Sequence, residues 1–412
     1  MLDIRYIREN AETVKKNCEN RLVKCDIDKL LKLDEERLVL LSEVESLREQ
    51  KNKPKGKPSA DELKKLSSVK EKEESISKKL GKIQTEYNNL LFTVPNKTHP
   101  DTPQGKDDSE NVEIRKIGKP PVFKFEPKDH VELGENLGII DFEDGAKVTG
   151  SKFYFLRNDA VLLEQALINY GLEIMQKEGF SLVATPDIAK TEIVDKMGYQ
   201  PRGAEAQIYN IESSDLSLIG TAEITLGGLY ANEIIDEKSL PIQLAGLSHC
   251  FRTEAGAYGK HSKGLYRVHQ FTKLEMFVFC KPEDSDEWHE RLVSIEEQIF
   301  KGLEIPYRVV DICTGDMGAV AYRKYDLEAW MPGRGGYGEI TSTSNCTDYQ
   351  ARNLGIKYRK IDGKTEYLHM LNGTGIAISR ALIAIMENNQ QKDGTIVVPK
   401  VLQKWVGKKV IK

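Results

Sequence analysis

Two long stretches of helical periodicity near the start of the chain constrain its fold more than any other feature. Apolar residues recur three or four positions apart from Leu30 to Leu47 and again from Leu63 to Leu90, amid charged residues. Two prolines and a glycine within residues 52–58 cannot continue a helix. The pattern therefore predicts an antiparallel coiled coil with arms of about 45 Å. A shorter amphipathic helix is expected over residues 3–20.

The far end of this predicted hairpin is basic, although the 412-residue chain has a net charge of −4. Between Arg48 and Lys82 there are twelve Lys or Arg residues and six Asp or Glu residues. Such a run most often only solvates a helix, but a stiff arm with a positive tip can also reach a phosphate backbone. Residues 95–121 contain five prolines and indicate a linker. We therefore expect a helical arm domain over residues 1–110 and a larger domain over residues 111–412.

The segment 251–279 predicts a β-hairpin with polar side chains on one face. Arg252 and Glu254 are two residues apart, which places them on one face of the entering strand. Alternation in the return strand groups a second set, namely Arg267, His269, Phe271, Lys273 and Glu275. Guanidinium forks suit phosphate oxygens, and a phenyl ring can stack on a base. Ordinary cross-strand ion pairs on a solvated hairpin explain an isolated segment of this kind equally well.

Residues 217–227 predict a further strand, and residues 326–346 another. In the first, Thr221 and Glu223 share a face and form either an amine-binding corner or a plain surface pair. In the second, Glu339 and Ser342 either share a hard cation such as Mg²⁺ or lie along a strand edge. A GxGxxG match within the same segment is followed by β-favouring residues rather than a helix, which argues against a dinucleotide site.

The segment 369–386 combines a polar turn with an apolar helix. Residues 372–375, Asn-Gly-Thr-Gly, are expected to form the turn, and the helix that follows carries one charge, Arg380. Burying an unpaired guanidinium is costly, so Arg380 must meet an anion. An internal carboxylate and a bound phosphate satisfy that need equally well.

Composition limits the compartment and the chemistry. The six cysteines are scattered without a CxxC pair, which makes a zinc site or a disulfide framework unlikely. There is no apolar run of 18 residues, and the N-terminus has neither a signal core nor an acid-poor presequence. The sequence therefore predicts a cytoplasmic protein without a membrane segment.

Three of these segments resemble the sequence motifs of class II aminoacyl-tRNA synthetases. Residues 159–178 predict a helix that leads into a strand ending at Pro186, and this segment resembles motif 1. The hairpin resembles motif 2, and residues 373–380 resemble motif 3. TAE, RVHQF, GEITS and NGTG, together with the N-terminal helical hairpin, resemble the seryl-tRNA synthetase family in the same order over essentially the whole chain. The resemblance implies an α+β fold, with a coiled-coil arm and a catalytic antiparallel β-sheet flanked by helices.

The resemblance also implies a role for each polar residue. Arg252 and Arg380 would be the catalytic arginines. The serine site would consist of Thr221, Ala222, Glu223, Arg252, Glu275, Asn372 and Thr374. The ATP site would consist of Arg252, Thr253, Glu254, Arg267, Val268, Phe271, Glu339, Ile340, Thr341, Ser342 and Arg380. Arg252 would grip the α-phosphate, Arg267 the γ-phosphate, and Phe271 would stack on adenine. Glu339 and Ser342 would hold Mg²⁺.

The implied reaction is ATP-dependent ligation of L-serine to the 3′ end of tRNA(Ser) through seryl-adenylate, with tRNA(Sec) as a further expected substrate. ATP and Mg²⁺ are required, and zinc is not expected because no cysteine occupies the serine site. The arm would contact the long variable arm and elbow of the tRNA, and motif 1 would form a homodimer interface. Two alternatives stay open. A carrier-protein-loading relative would generally lack the arm, and an inactive paralogue would have lost Arg252, Glu275 or Arg380.

Overall fold

The computed structural model describes residues 1–52, 60–199, 207–255 and 263–412. The chain forms two compact units, Met1–Lys97 and Thr98–Lys412. The first unit contains the helices α1 (Ile4–Glu9), α2 (Ala11–Asn20), α3 (Ile27–Asn52) and α4 (Ala60–Thr93). The two long helices predicted from periodicity are thus confirmed. The turn expected between them lies outside the described residues.

The single helix expected over residues 3–20 is wrong, because the chain leaves the helical conformation at Asn10. Asn10 has φ −129° and ψ 34°, and its side-chain amide donates to the carbonyl oxygen of Tyr6 at 3.0 Å. Asparagine side chains compete in this way with backbone hydrogen bonding. Two short helices, α1 and α2, therefore replace the one that was predicted.

The apolar stripe of α3 is buried against α4. The buried residues are Leu30, Leu33, Leu40 and Val44 from α3 with Tyr87 and Leu91 from α4. Asp34 interrupts the stripe and has no exposed surface. It accepts from Arg8 Nε at 2.7 Å and from Arg37 Nη2 at 2.8 Å. A buried carboxylate requires such pairing, so Asp34 fixes α1 against α3.

The basic run of the arm is partly paired within the arm itself. Glu73 of α4 accepts from Arg48 Nε at 2.9 Å and from Lys51 Nζ at 2.7 Å, both on α3. These two pairs cross between the helices and hold their outer halves together. Two of the twelve basic residues pair with Glu73, so these contacts leave most of the positive charge of the run unneutralised.

The second unit is built on an eight-stranded sheet with the order β1-β10-β11-β12-β15-β9-β8-β4. The strands of the chain are β1 (Val112–Ile117), β2 (Ile140–Asp141), β3 (Phe155–Leu156), β4 (Ser181–Ala184), β5 (Ile188–Lys190), β6 (Leu216–Leu218), β7 (Ile234–Asp236), β8 (Ile242–Phe251), β9 (Gln270–Cys280), β10 (Tyr307–Asp311), β11 (Arg323–Met331), β12 (Gly336–Asn345), β13 (Lys357–Arg359), β14 (Thr365–Tyr367), β15 (His369–Ala377), β16 (Ile396–Val397) and β17 (Val410–Ile411). Within the large sheet every pair is antiparallel except β4 with β8. The predicted fold class is confirmed.

The helices of this unit are α5 (His130–Asn136), α6 (Phe142–Thr149), α7 (Asp159–Lys177), α8 (Thr191–Lys196), α9 (Ala222–Gly228), α10 (Ser285–Gly302), α11 (Tyr349–Leu354), α12 (Ile378–Asn388) and α13 (Gln403–Val406). The largest apolar core lies where α7, α10 and α12 pack against the sheet. Gly171 of α7 allows a close approach, because a Cβ there would lie 2.7 Å from Leu274 and 2.9 Å from Ile376. Among the described residues, no helix has the length and apolar character needed to cross a membrane.

The division between the two units falls at residues 97 and 98, earlier than the expected boundary at 110. The segment after residue 98 is bound to the second unit. His99 N donates to Tyr322 O at 2.9 Å, and Thr314 N donates to Pro103 O at 2.9 Å. Much of the predicted linker is thus an ordered part of the larger unit, and it contains a short 3₁₀ helix and the strand β1.

Two of the predicted site segments adopt a different secondary structure. Thr221 is the N-cap of α9, and its hydroxyl accepts from Glu223 N at 3.3 Å, so the strand expected over residues 217–227 ends at Leu218. A threonine with an acidic residue in the first turn is an N-terminal helix signal that outweighed the β-favouring residues. The turn expected at 372–375 is also wrong, because these residues continue β15.

The hairpin of β8 and β9 is confirmed, but its polar end differs from the prediction. Strand β8 ends at Phe251, so Arg252 and Glu254 follow the strand rather than share one of its faces. Glu254 has φ 49°, a left-handed conformation that ends the extended run. A short 3₁₀ turn over Gly264–Tyr266 precedes β9. Residues 256–262, between the two sides of the hairpin, lie outside the described residues.

Candidate active site

A polar cleft lies over the strands β9, β12 and β15, next to the N-terminus of α12. It is lined by Arg252, Glu254, Tyr266, Arg267, Val268, Phe271, Lys273, Glu339, Ile340, Thr341, Thr374, Ala377, Ser379 and Arg380. The ladder between β12 and β15 contains only the pairs Thr343–Gly373, Ser344–Asn372 and Asn345–Leu371. Beyond these pairs the strands no longer bond to one another, and the cleft opens there.

Three arginines converge on this cleft. Arg252 donates from Nε to Gly220 O at 3.2 Å, and its guanidinium carbon lies 5.3 Å from the centre of the Phe271 ring. Arg267 Nη1 lies 3.2 Å from Glu254 Oε2, and Arg380 Nη1 lies 2.9 Å from Glu339 Oε1. The anion that the sequence requires for Arg380 is thus an internal carboxylate in this structure. Forked donors and an adjacent aromatic plate suit a nucleoside triphosphate.

A β-bulge brings Glu339 and Ser342 to the same face of β12. Leu327 pairs with Thr341 and Glu328 pairs with Glu339, so Ile340 has no partner in the register of β11. Residues three apart normally face opposite sides of a strand, and the additional residue reverses that relation. The sequence suggested that Glu339 and Ser342 act together, but it did not show the bulge that brings the two residues to one face.

The carboxylate opposite Ser342 was not predicted. Asp326 of β11 pairs with Ser342 across the ladder, so the two side chains lie on the same face of the sheet. Lys324 Nζ lies 3.0 Å from Asp326 Oδ1. Burial and the nearby Glu339 raise the pKa of Asp326 to about 6. Burial alone would raise the pKa of Glu339 as well, but Arg380 and Lys324 lower it to about 2. Glu339 is therefore a permanent anion, whereas Asp326 titrates near neutrality.

A second, deeper group of polar side chains adjoins the cleft. Glu223 Oε1 accepts from Gln350 Nε2 at 2.8 Å and from Asn372 Nδ2 at 3.1 Å, and Glu223 Oε2 accepts from the Tyr199 hydroxyl at 3.3 Å. Burial and the neighbouring Glu275 raise the pKa of Glu223 to about 7. The carboxylate is thus surrounded by donors and lacks a cationic partner within hydrogen-bond distance among the described residues.

Glu275 lies between this group and the cleft. It is opposite Thr374 across the β9–β15 ladder, and the Thr374 hydroxyl lies 3.4 Å from Glu275 Oε2. Lys273 Nζ is 2.5 Å from the same oxygen, and both side chains are buried. A hydroxyl, a carboxylate and an ammonium group therefore meet at one point, which suits a small substrate carrying both charge and a hydroxyl group.

Most of the predicted site residues come together in these two adjoining groups, and three stand apart. Ser342 faces Asp326 rather than lining the cleft, Ala222 packs in an apolar cluster, and Thr253 N donates to Gln207 O at 3.0 Å. Sequence reasoning assigned no role to Lys273, although strand alternation placed it on the correct face. Tyr199 and Gln350 had no signal at all, because they reach Glu223 from other parts of the chain, Tyr199 from the segment after α8 and Gln350 from α11.

Two family models each match a part of the chain. Residues 208–389 match the tRNA synthetase class II core domain (G, H, P, S and T), and residues 1–98 match the seryl-tRNA synthetase N-terminal domain. A serine–tRNA ligase of Rubrobacter xylanophilus is 56% identical, with 100% of this chain and 99% of that protein covered. One from Treponema denticola is 54% identical, with 99% of each covered.

Solved structures give the same result. The crystal structure of seryl-tRNA synthetase from Pyrococcus horikoshii complexed with ATP superposes with a TM-score of 0.90 at 42% identity, covering 100% of this chain and 99% of that one. The cytoplasmic serine–tRNA ligase of Naegleria fowleri in complex with AMP gives 0.86 at 33% identity, with the same coverage.

The antiparallel sheet with arginines from the β8–β9 hairpin and from α12 defines a class II aminoacyl-tRNA synthetase core. Within that class, the N-terminal helical arm and the similarity over the full length of the chain identify the family. The chain belongs to the seryl-tRNA synthetase family.

Proposed function

We propose that this protein ligates L-serine to the 3′ end of tRNA(Ser) in two steps, with seryl-adenylate as the intermediate. The observation that carries the proposal is the junction of an arginine-lined cleft with a buried carboxylate pocket on one sheet face. A cleft of the first kind binds a triphosphate, and a pocket of the second kind binds a small zwitterion. Their contact would place the carboxyl group of the amino acid against the α-phosphate of the nucleotide.

In the first step, a serine carboxylate oxygen forms a bond to the α-phosphorus of ATP, and the bond from that phosphorus to pyrophosphate breaks. Arg252 would neutralise the charge that develops at the α-phosphate, with Arg267 and Arg380 along the phosphate chain. In the second step, a tRNA 3′ hydroxyl attacks the acyl carbon and AMP leaves. Neither step needs a protein nucleophile, so catalysis rests on positioning and on charge neutralisation.

Serine recognition would use both carboxylates of the deeper pocket. Glu223, capped by Thr221 and held by Asn372, would accept hydrogen bonds from the substrate ammonium group. Glu275 and Thr374 would bind the substrate hydroxyl group. A site built to pair a hydroxyl rejects the analogue that lacks it by roughly 10⁴ to 10⁵, because its polar partners would remain unpaired.

The side chains beside the bulge of β12 fit Mg²⁺. Glu339, Ser342 and Asp326 present oxygen atoms on one face, which are the ligands that this hard cation prefers. Magnesium bound with ATP would supply further neutralisation of phosphate charge. The protein's own contribution there is to hold Glu339 ionised through Arg380 and Lys324.

The helical unit would bind tRNA, and the larger unit would form a homodimer. The dimer proposal is supported by exposed apolar side chains on α6, β3, α7 and β4, namely Val148, Phe155, Val161, Leu162 and Leu182. Charging of tRNA(Sec) and location in the cytoplasm stay predictions from the sequence. Light scattering of the purified protein, with Leu162→Glu as the variant, tests the dimer.

The decisive experiment is pyrophosphate exchange with the purified full-length chain and each of the twenty amino acids. We expect ATP formation from labelled pyrophosphate with serine and far less with any other amino acid. Charging assays with tRNA(Ser), tRNA(Sec) and a carrier protein then separate the acceptors. Exchange with an amino acid other than serine, or with none, would refute the proposed function.

A further inference from the structure

A buried carboxyl group lies behind the cleft, on the side of β12 that packs against α10. Glu296 of α10 is only 1% exposed. Its Oε2 accepts a hydrogen bond from the Thr341 hydroxyl at 2.7 Å, and its Oε1 is hydrogen-bonded to the Thr343 hydroxyl. Both threonines belong to β12, on either side of Ser342. The carboxyl group therefore contacts β12 at the point where the strand passes from the apolar core to the edge of the active site.

Glu296 also reaches the neighbouring strand. A Cβ on Gly373 of β15 would lie 3.2 Å from Glu296 Oε1 and 3.2 Å from the Thr343 hydroxyl. Gly373 is paired with Thr343 in the last rung before β12 and β15 separate. The carboxyl group thus lies at the fork between the nucleotide-binding strand and the strand that carries Asn372 and Thr374.

The same helix holds Thr343 a second time. His289 lies seven residues before Glu296, on the same face of α10, and its Nε2 is 3.2 Å from the carbonyl oxygen of Thr343. Burial lowers the pKa of His289 to about 4, so the ring is neutral and donates through Nε2. Side chain and backbone of one strand residue are therefore both fixed by α10.

The surroundings of Glu296 favour its uncharged form. No cation lies within ion-pair distance of it among the described residues, and hydroxyl groups are its only side-chain hydrogen-bond partners there. Burial raises the pKa of Glu296 well above its usual range, and the carboxylates of Asp326 on β11 and Glu275 on β9 add to the effect. A neutral carboxylic acid donates one hydrogen bond and accepts others, which matches a pair of threonine hydroxyls.

We propose that Glu296 is a positioning residue that holds Thr341 and Thr343, and thereby keeps Glu339 in the cleft and Ser342 opposite Asp326. The bulge at Ile340 makes this support important, because it leaves two consecutive buried residues, Ile340 and Thr341, where ordinary alternation would bury only one. Without an anchor behind Thr341, the strand can return to ordinary alternation and rotate Ser342 away. This role rests on the proposed function, since it concerns the same nucleotide site.

The test compares two substitutions of the same side chain. Glu296→Gln keeps one donor and one acceptor of similar shape, so serine-dependent exchange should stay within about threefold of wild type. Glu296→Met keeps the volume and removes both hydrogen bonds. We expect its kcat per active site to fall roughly 10- to 100-fold through misplacement of the reacting groups. The KM for ATP should change less, because the arginines that bind ATP do not touch Glu296.

Controls separate positioning from simple loss of folded protein. Active sites are counted by the burst of adenylate formation, and Tm is measured for every variant. Thr343→Val removes the partner hydroxyl and should reproduce the fall in kcat even if Glu296→Met does not fold. Glu297→Gln, on the same helix but paired with Arg115 and Tyr307, should leave kcat unchanged.

Three results would overturn the inference. Equal impairment of Glu296→Gln and Glu296→Met would mean that the group acts as an anion. Wild-type kcat per active site in both Glu296→Met and Thr343→Val would remove the positioning role while leaving the proposed function intact. Absence of serine-dependent exchange in the wild-type chain would refute the proposed function, and this role with it.

Discussion

The helical unit and the sheet unit of this protein use charge in opposite ways. On α3 and α4 the charged side chains are mostly exposed, and their effect comes from their number along one surface. In the sheet unit a few charged groups are buried beside one another, and each changes the protonation of its neighbours, as Glu275 does for Glu223. Exposed charges act through long-range, salt-sensitive attraction, whereas buried groups act through specific contacts. The arm should therefore tolerate single substitutions that the site does not.

The largest expected effect comes from removing the outer half of the arm. Replacing residues 46–75 with a short glycine–serine turn removes nine of the twelve basic residues and keeps Asp34 with its arginines. The ends are close enough to join, because Arg48 and Lys51 both reach Glu73. We expect loss of tRNA charging with serine-dependent pyrophosphate exchange retained, as measured in parallel assays. Equal loss of both activities would show that the two units do not act separately.

Arg252→Ala should give the next largest effect, a fall in exchange of about 10² to 10³. One preorganised donor to a developing negative charge contributes about 3 kcal/mol. The measurement is kcat/KM for serine-dependent exchange. Arg291→Ala is the matched control, because Arg291 of α10 is not among the residues that line the cleft; it packs over Trp288 and donates to Glu178 O. Wild-type exchange in Arg252→Ala would contradict its role.

Glu275→Gln should reduce the preference for serine over alanine by at least tenfold. The substitution removes the charge next to Lys273 and alters the partner of the substrate hydroxyl, but preserves shape. The ratio of kcat/KM for the two amino acids is the measurement, with Tm checked because Lys273 loses its ion-pair partner. An unchanged ratio would mean that another group recognises the hydroxyl.

The smallest effect expected is a pH dependence of serine binding. Glu223 has a raised pKa of about 7, so it is increasingly protonated below pH 7 and loses the charge that binds an ammonium group. The KM for serine should rise as the pH falls below 7, by up to tenfold per unit. Glu223→Gln should have a high KM that no longer varies over this range. Because the folded pKa is raised, stability contributed by neutral Glu223 is full below its unfolded pKa, near 4.5, and is lost as the pH rises through about 7.

The same contrast explains what the sequence could and could not predict. The arm was predictable because helical periodicity is local, and α3 and α4 begin and end close to their predicted limits. The error at Asn10 arose because one side chain competed with the backbone. In the sheet unit, the strand β9 and the helix α12 were also predicted from local pattern. Their mutual placement came from family resemblance rather than from physical reasoning.

The parts of the site that escaped prediction depend on contacts between distant segments. Asp326 faces Ser342 only because β11 and β12 are paired, and Gln350 reaches Glu223 across 127 positions of the chain. The helix at residues 222–228 was mispredicted because the local N-cap signal of Thr221 outweighed the β-favouring residues. The continued strand at 372–375 was mispredicted because tertiary packing outweighed a local turn preference. Glycine at 373 suggested a turn, but its small size is needed where Glu296 and Met276 approach.

The unpaired residue at Ile340 sets the phase of β12 for everything that follows it. Shortening the strand by that one residue would leave its length and composition almost unchanged, yet it would exchange inward and outward directions for the residues on one side. Insertions and deletions here should consequently be far more damaging than substitutions, and a deep mutational scan that includes single-codon deletions would reveal the difference.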